Sequence, residues 1–276
     1  MKAAVGKTPC ALAIGGLDPG GGAGIAADLR AFAAAGVFGC AAVALLTVQS
    51  TAGLRSVRAI AAREVAAQAG EVLRHQRVRA VKVGALGSEA NVRAVARLLA
   101  RYPGVPVVVD TPMLPTRGKA RLLAGRALAA LRDELLPRAT LVTVNADEAH
   151  ALVGEPVRTV GEAHDAARAL LKTGARAVLV KGGHLGAAGG PSAVDVLAIG
   201  GEVVELRARR LAMGEVHGNG YALASHIAGK LEAREGAGTR VDAETLVSAI
   251  RWAKRVHHGA LAKALDVGEG MRVLGF

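Results

Sequence analysis

Short aliphatic runs without polar alternation recur along this chain, and most are followed by an Ala-rich stretch with helical spacing. The runs at 10–15, 40–47, 79–83, 106–110, 140–144 and 176–181 predict strands, and 193–199 with 202–207 predicts a hairpin. Pro106-Val107-Val108-Val109-Asp110 is the clearest of them, apolar at successive positions and ending in an acid. A strand of this kind is covered on both faces, as in a parallel sheet between two helical layers. Helices are predicted at 24–36, 63–75, 88–102, 120–134, 146–153, 160–174, 219–234 and 242–264. The alternation gives an α/β fold with a mostly parallel central sheet and helices on both faces. No internal repeat or long linker interrupts it, so residues 1–276 are expected to form a single domain. The glycine-rich stretches 186–190 and 234–239 read as exposed loops. Ligands of such folds collect beyond the carboxyl ends of the strands, which is where chemistry is sought.

Composition narrows the partners. The apolar residues are mainly Ala, Val and Leu, so the core is aliphatic and the helices can pack close to the sheet. No apolar run reaches the roughly 18–20 residues that span a bilayer, so no membrane is expected. The stretch before Gly16 reads as a first strand, because Asp18 and the glycines break it too early for a secretory signal. Cys10 and Cys40 lie in predicted strands without metal-site spacing. They read as small buried hydrophobes of a reducing, cytoplasmic compartment. A net charge of +12 raises the question of nucleic acid. The arginines are scattered along helices (Arg93, Arg97, Arg101, Arg121, Arg126, Arg132) and stacking aromatics are almost absent, which excludes it. The basic surface would instead attract a small anionic substrate.

The candidate chemistry sits at strand ends. Residues 214–229 run from a glycine-rich turn into a small-residue helix, an arrangement that aims unpaired backbone N–H groups at an anion. The first strand empties into Gly15-Gly16-Leu17-Asp18-Pro19-Gly20-Gly21-Gly22-Ala23-Gly24-Ile25, with Asp28 one helical turn further on. A tight strand-to-helix turn would explain the glycines but not the two carboxylates, and the residues alone leave the two readings even. Asp110, Asn145 and Glu148 follow strands and could organise a magnesium ion. Asn145 and Glu148 also have the spacing of a capping box, and both roles can hold together. Lys181, followed by Gly182-Gly183, is placed to meet phosphate. His217 is read as positioning the anion turn, and His257 and His258 as solvated residues of the last helix.

In order over roughly residues 10–265, these segments resemble the hydroxymethylpyrimidine/phosphomethylpyrimidine kinases of thiamine biosynthesis, in the ribokinase superfamily. The resemblance is carried by Gly16, Asp18, Gly21, Gly22, Ala23, Gly24, Ile25, Asp28 and Leu29, then by Ala44-Leu45-Leu46-Thr47-Val48-Gln49-Ser50-Thr51. Val81-Lys82-Val83-Gly84, Asp110, Met113, Gly118, Asn145, Glu148-Ala149, Lys181-Gly182-Gly183-His184 and His217-Gly218-x-Gly220 continue it. It implies a three-layer ribokinase-like fold, ATP and magnesium as cofactors, and a homodimer. It also implies that Gly16, Ala23, Asp28, Thr47, Gln49, Ala85 and Pro112 frame the pyrimidine, Gln49 reading the ring. Asn145, Lys181, His217, Gly218 and Gly220 would hold ATP, Asp110 and Glu148 magnesium, and Lys181 with Gly218, Asn219, Gly220 and Tyr221 would carry catalysis.

Departures from the family pattern cluster at this site. Where the family reads His-Gly-Thr-Gly-Cys, this chain has His217-Gly218-Asn219-Gly220-Tyr221. Ala85 stands for the usual Met and Pro112 for a small aliphatic residue, while Leu17 and Ala26 replace polar ones. A phenol starts from a pKa near ~10 and ionises less readily than a thiol at a helix start. The expectation is therefore kinase activity on the pyrimidine alcohol or its monophosphate. Two alternatives stand beside it: a homologue that binds pyrimidine or nucleotide with impaired catalysis, and a kinase of a related alcohol such as pyridoxine.

Overall fold

A computed structural model describes residues 8–113, 122–123, 125–185, 190–211, 214–231 and 241–276. The described residues contain one nine-stranded sheet in the order β3-β2-β1-β4-β5-β6-β7-β8-β9. Its strands are β1 (Cys10–Leu17), β2 (Phe38–Ser50), β3 (Gly53–Ala59), β4 (Val78–Val83), β5 (Val107–Asp110), β6 (Leu141–Val144), β7 (Ala177–Val180), β8 (Ser192–Ile199) and β9 (Glu202–Arg209). From β2 through β7 neighbouring strands pair parallel, while β3, β8 and β9 are added antiparallel at the two edges. After β1 the chain first builds outward to β2 and β3, then returns to place β4 on the other side of β1. The order thus reverses between β1 and β4, and a crevice opens at their carboxyl ends.

Successive side chains of a strand point to opposite faces, and β1 uses both. Cys10, Leu12 and Ile14 enter one core with α2 (Ala62–His75), α3 (Glu89–Leu99) and α6 (Val160–Leu171). Ala11 and Ala13 enter the other, with α1 (Gly24–Ala34), α7 (Asn219–Lys230) and α8 (Ala243–Ala262). Small residues on this second face let α1 and α7 lie close to the sheet and to each other. Both cysteines are free and buried, as their surroundings predict.

Three expectations need correction. The segment 53–59 is a strand that its sequence does not announce, because Arg55, Ser56 and Arg58 are exposed on an edge. Within the described part of the helix expected at 120–134, α-helix covers α4 (Ala127–Ala130), continued by a wide π-type turn over Leu131–Leu135 and a 3-10 turn over Leu136–Arg138. Pro137 lacks the N–H that would extend an α ladder. His257 is buried, with 8% of its surface exposed, whereas it was expected to be solvated. It falls on the inward stripe of α8 marked by Leu246, Ile250, Ala253 and Ala260. Gly118, residues 186–189 and 234–239 lie outside the described residues. No described helix is long and apolar enough to cross a membrane.

Candidate active site

The loop after β1 is built around Asp18. Its carboxylate accepts from the backbone N–H of Gly20 at 2.8 Å and of Ala23 at 2.9 Å, and its Oδ2 lies 2.8 Å from His217 Nε2. These bonds and His217 hold its carboxyl below the usual carboxylate range, against the opposing effect of burial. His217 lies on β10 (Val216–His217), which pairs with β11 (Arg272–Val273). The next residue, Gly218, starts α7 with φ +79°, and a Cβ there would come within 1.9 Å of the Gly22 carbonyl oxygen. At Gly22 a Cβ would in turn lie 2.2 Å from the His217 ring. The two glycine-rich loops, almost two hundred residues apart in sequence, are therefore interlocked.

Asp28 and Lys82 form a buried ion pair, with Lys82 Nζ 3.0 Å from both carboxylate oxygens and Ser225 Oγ donating to Asp28 at 2.5 Å. Burial outweighs Lys82 and pushes the Asp28 carboxyl above its ordinary range. Lys82 was not among the expected site residues. Its signal was available, a lysine between Val81 and Val83 in a strand covered on both faces, where a charge needs a partner.

Gly16, Ala23, Asp28, Thr47, Gln49, Ala85 and Pro112 all line one cavity, whose wall also includes Lys82, Leu122, His217 and Tyr221. The cavity holds about 40 Å³ of free space. Thr47 is fixed by donating to the Leu17 carbonyl at 3.0 Å, and the Gln49 side chain lies 3.1 Å from His217 Nε2.

A second cluster adjoins this cavity. Lys181 Nζ donates to Asp110 Oδ1 at 2.8 Å and to the Gly220 carbonyl at 3.3 Å, and lies 3.8 Å from Glu148 Oε2. Thr143 donates to the same Asp110 oxygen at 2.7 Å, while the buried Asp110 Oδ2 has no partner. Burial alone would lower the Lys181 pKa, but Asp110 and Glu148 hold it above its ordinary value. Burial raises Glu148 to about 7, with Lys181 opposing and Asp110 reinforcing the shift. Asn145 and Glu148 cap α5 (Ala146–Val153) reciprocally, each bond 2.8 Å. The Asn145 carbonyl oxygen is thus committed to the helix, and only its amide NH2 is available to a ligand.

Tyr221 joins the two regions. It lines the cavity, and burial followed by the charges of Glu148 and Asp110 pushes its phenol well above the ordinary range. At physiological pH it is a hydroxyl donor and not a phenolate. At the start of α7 the N–H groups of Asn219 and Gly220 have no preceding helical carbonyl to meet. A cation, a helix start and two carboxylates thus converge beside a small cavity, which suits the handling of a phosphoryl group. Among the described residues no group of three or more His, Cys, Asp or Glu forms a metal cluster.

Comparison with known proteins agrees with this chemistry. The sequence profile described as phosphomethylpyrimidine kinase matches residues 18–274. The hydroxymethylpyrimidine/phosphomethylpyrimidine kinase of Rhizobium meliloti (strain 1021) is 39% identical over 268 residues, covering 95% of each chain. Among solved structures, the ADP complex of Bacillus subtilis pyridoxal kinase superimposes with a TM-score of 0.83 at 27% identity, covering 97% of each chain. A phosphomethylpyrimidine kinase from Clostridium difficile 630 gives 0.74 at 27% identity, over 92% of this chain and 100% of the other. With its α/β sheet, its interlocked loops and this match over nearly its whole length, the chain belongs to the phosphomethylpyrimidine kinase family.

Proposed function

We propose that the chain, as a single-domain enzyme of thiamine biosynthesis, transfers the γ-phosphoryl group of ATP to 4-amino-5-hydroxymethyl-2-methylpyrimidine, to its monophosphate, or to both. The observation that carries this reading is the meeting of Lys181, the α7 start and the cavity holding Gln49 at one corner. Gln49 offers both an amide donor and an acceptor to an aminopyrimidine edge. Lys181 and the N–H groups of Asn219 and Gly220 neutralise and orient the phosphates while the bond from the γ-phosphorus to the bridging oxygen breaks, releasing ADP. The substrate oxygen forms the new P–O bond, the proton of the alcohol passing to an oxygen of the transferred phosphoryl group. In a loose transition state little else is asked of the protein, so positioning and charge dominate. Tyr221, held protonated, donates to a phosphate or substrate oxygen and does not act as the base. The nucleoside end of ATP fits the basic groove of about 550 Å³ between β9 and α8, lined by Arg207, Arg209, Arg251, Lys254 and His258. Lys254 connects that groove to the phosphate corner, because it donates to Asp195, which accepts from Gly182 N–H at 2.7 Å.

The partnerless Asp110 Oδ2 and the neighbouring Glu148 fit magnesium, as hard oxygen donors beside the phosphates. Held by these two carboxylates, magnesium would supply charge neutralisation to the phosphates. The family resemblance favours a homodimer, and the two free buried cysteines favour a reducing, cytoplasmic compartment.

The small cavity supports a second reading, in which Tyr221 leaves a binding protein with little turnover. With about 40 Å³ of free space the cavity is narrow, and a pyrimidine ring in it would press on wall residues such as Tyr221 and Leu122. The test is ADP release from magnesium ATP with the pyrimidine alcohol, its monophosphate or pyridoxal. ADP is expected with one or both pyrimidines, and Tyr221→Cys should raise kcat/KM about tenfold by opening the wall and restoring a small side chain. ADP with pyridoxal alone would overturn the substrate assignment. Nucleotide binding without turnover in either protein would favour the binding reading.

A further inference from the structure

Asn219 stands first in α7, where the family loop places a threonine, and the difference has a structural counterpart on α8. Its Oδ1 lies 2.8 Å from Nε2 of the buried His257. A threonine hydroxyl rotates to donate wherever an acceptor arrives, whereas a planar amide presents either oxygen or NH2 and must be fixed from behind. His257 Nδ1 is buried without a partner. A proton placed there would be a buried, unmatched donor and would leave the Nε2 lone pair facing the amide oxygen. The charged ring is disfavoured first by burial, then by the positive field of His226, Lys254, Lys181 and His258. The neutral ring with its proton on Nε2 is the arrangement that satisfies both groups, and it turns the Asn219 NH2 away from α8.

Asn219 is itself exposed at the helix start, beside the backbone N–H groups that point outward there. We infer that His257 is a positioning residue, which holds the Asn219 amide oxygen so that its NH2 becomes an additional donor to the nucleotide phosphates. The inference rests on the reading of 217–221 as the phosphate loop.

The test measures the KM for ATP and kcat in His257→Leu, His257→Gln, Asn219→Ala and the double variant His257→Leu/Asn219→Thr, each checked for folding by circular dichroism. His257→Leu and Asn219→Ala should each raise the ATP KM about tenfold, the size expected for loss of one charge-assisted hydrogen bond. His257→Gln, which can still donate, should recover most of the affinity. The double variant should do so too, since a rotating hydroxyl needs no partner; a merely structural role for His257 would give no such rescue. An unchanged KM in folded His257→Leu, or no rescue by threonine, would overturn the inference. If His257→Leu does not fold, an unchanged KM in Asn219→Ala overturns the inference, and a rise of about tenfold there with most of the ATP affinity kept in His257→Gln supports it. Lys181→Ala serves as the control. If it weakens ATP while the His257 variants do not, only this inference falls; if it leaves ATP affinity unaltered, the phosphate reading falls and takes the inference with it.

Discussion

Glu148 is the residue whose ionisation bears most directly on the proposed reaction. Its carboxyl is raised to about 7, first by burial, so half of it is protonated near neutral pH. As a magnesium or phosphate-side ligand it must be charged. The expected kcat/KM for ATP therefore climbs with pH through a limb near 7, and Glu148→Gln should remove the limb and lower the plateau about a hundredfold. A pH–rate profile checks this; a limb that persists in the variant assigns the titration to another group. The linkage to stability has the opposite sense. A carboxyl raised in the folded state stabilises most below its unfolded value of about 4.5 and loses that contribution as pH rises through about 7. At this scale the sequence pointed to the candidate site where residue type and motif coincide, as at Gln49 and Tyr221, which line the cavity, and at Lys181 beside it. Lys82 carried a signal as a charge in a buried strand, but its partner Asp28 was not legible, and neither was the role of His257, which depends on Asn219 in a distant part of the chain.

At the scale of elements, strands buried on both faces were readable because continuous apolar runs have few other uses. The edge strand β3 was not, since Arg55 and Arg58 face solvent and its pairing with β2 comes from the turn at Thr51 and Ala52. The start of α7 was visible as a glycine pattern, but the reason for the glycine at 218 lies in the other loop. Gly218→Ala would force a left-handed residue to carry a Cβ against the Gly22 carbonyl. A loss of about 2–3 kcal/mol is expected, measured as a fall in Tm of several degrees together with weaker nucleotide binding. An alanine variant with wild-type Tm would refute the steric argument.

Across the whole molecule, acid should act through histidines rather than through the surface. His226, fully buried beside Trp252, His257 and Phe276, is lowered to about 4, and His257 to about 3, each chiefly by burial. Groups depressed in this way contribute stability that is present above the unfolded value near 6.5 and lost as pH falls through the folded one. The His226 contribution to the unfolding free energy, measured by urea titration, is expected to fall by about 1–3 kcal/mol between pH 6.5 and 4. His226→Phe should flatten that part of the curve. An equally steep decline in the variant would trace acid sensitivity to other groups. The layered architecture was legible from the chain because its periodicities are local, whereas this aromatic knot gathers α7, α8 and the final residues and has no local signature.

The mutual fit of Gly22 with His217, and of Gly218 with Gly22, bears on how such enzymes can be re-engineered. Grafting a phosphate loop from another vitamin kinase onto this scaffold would bring a turn shaped for a different opposing surface. The counterpart after the first strand would have to travel with it, so that the pair behaves as one inheritable cassette despite its separation along the gene.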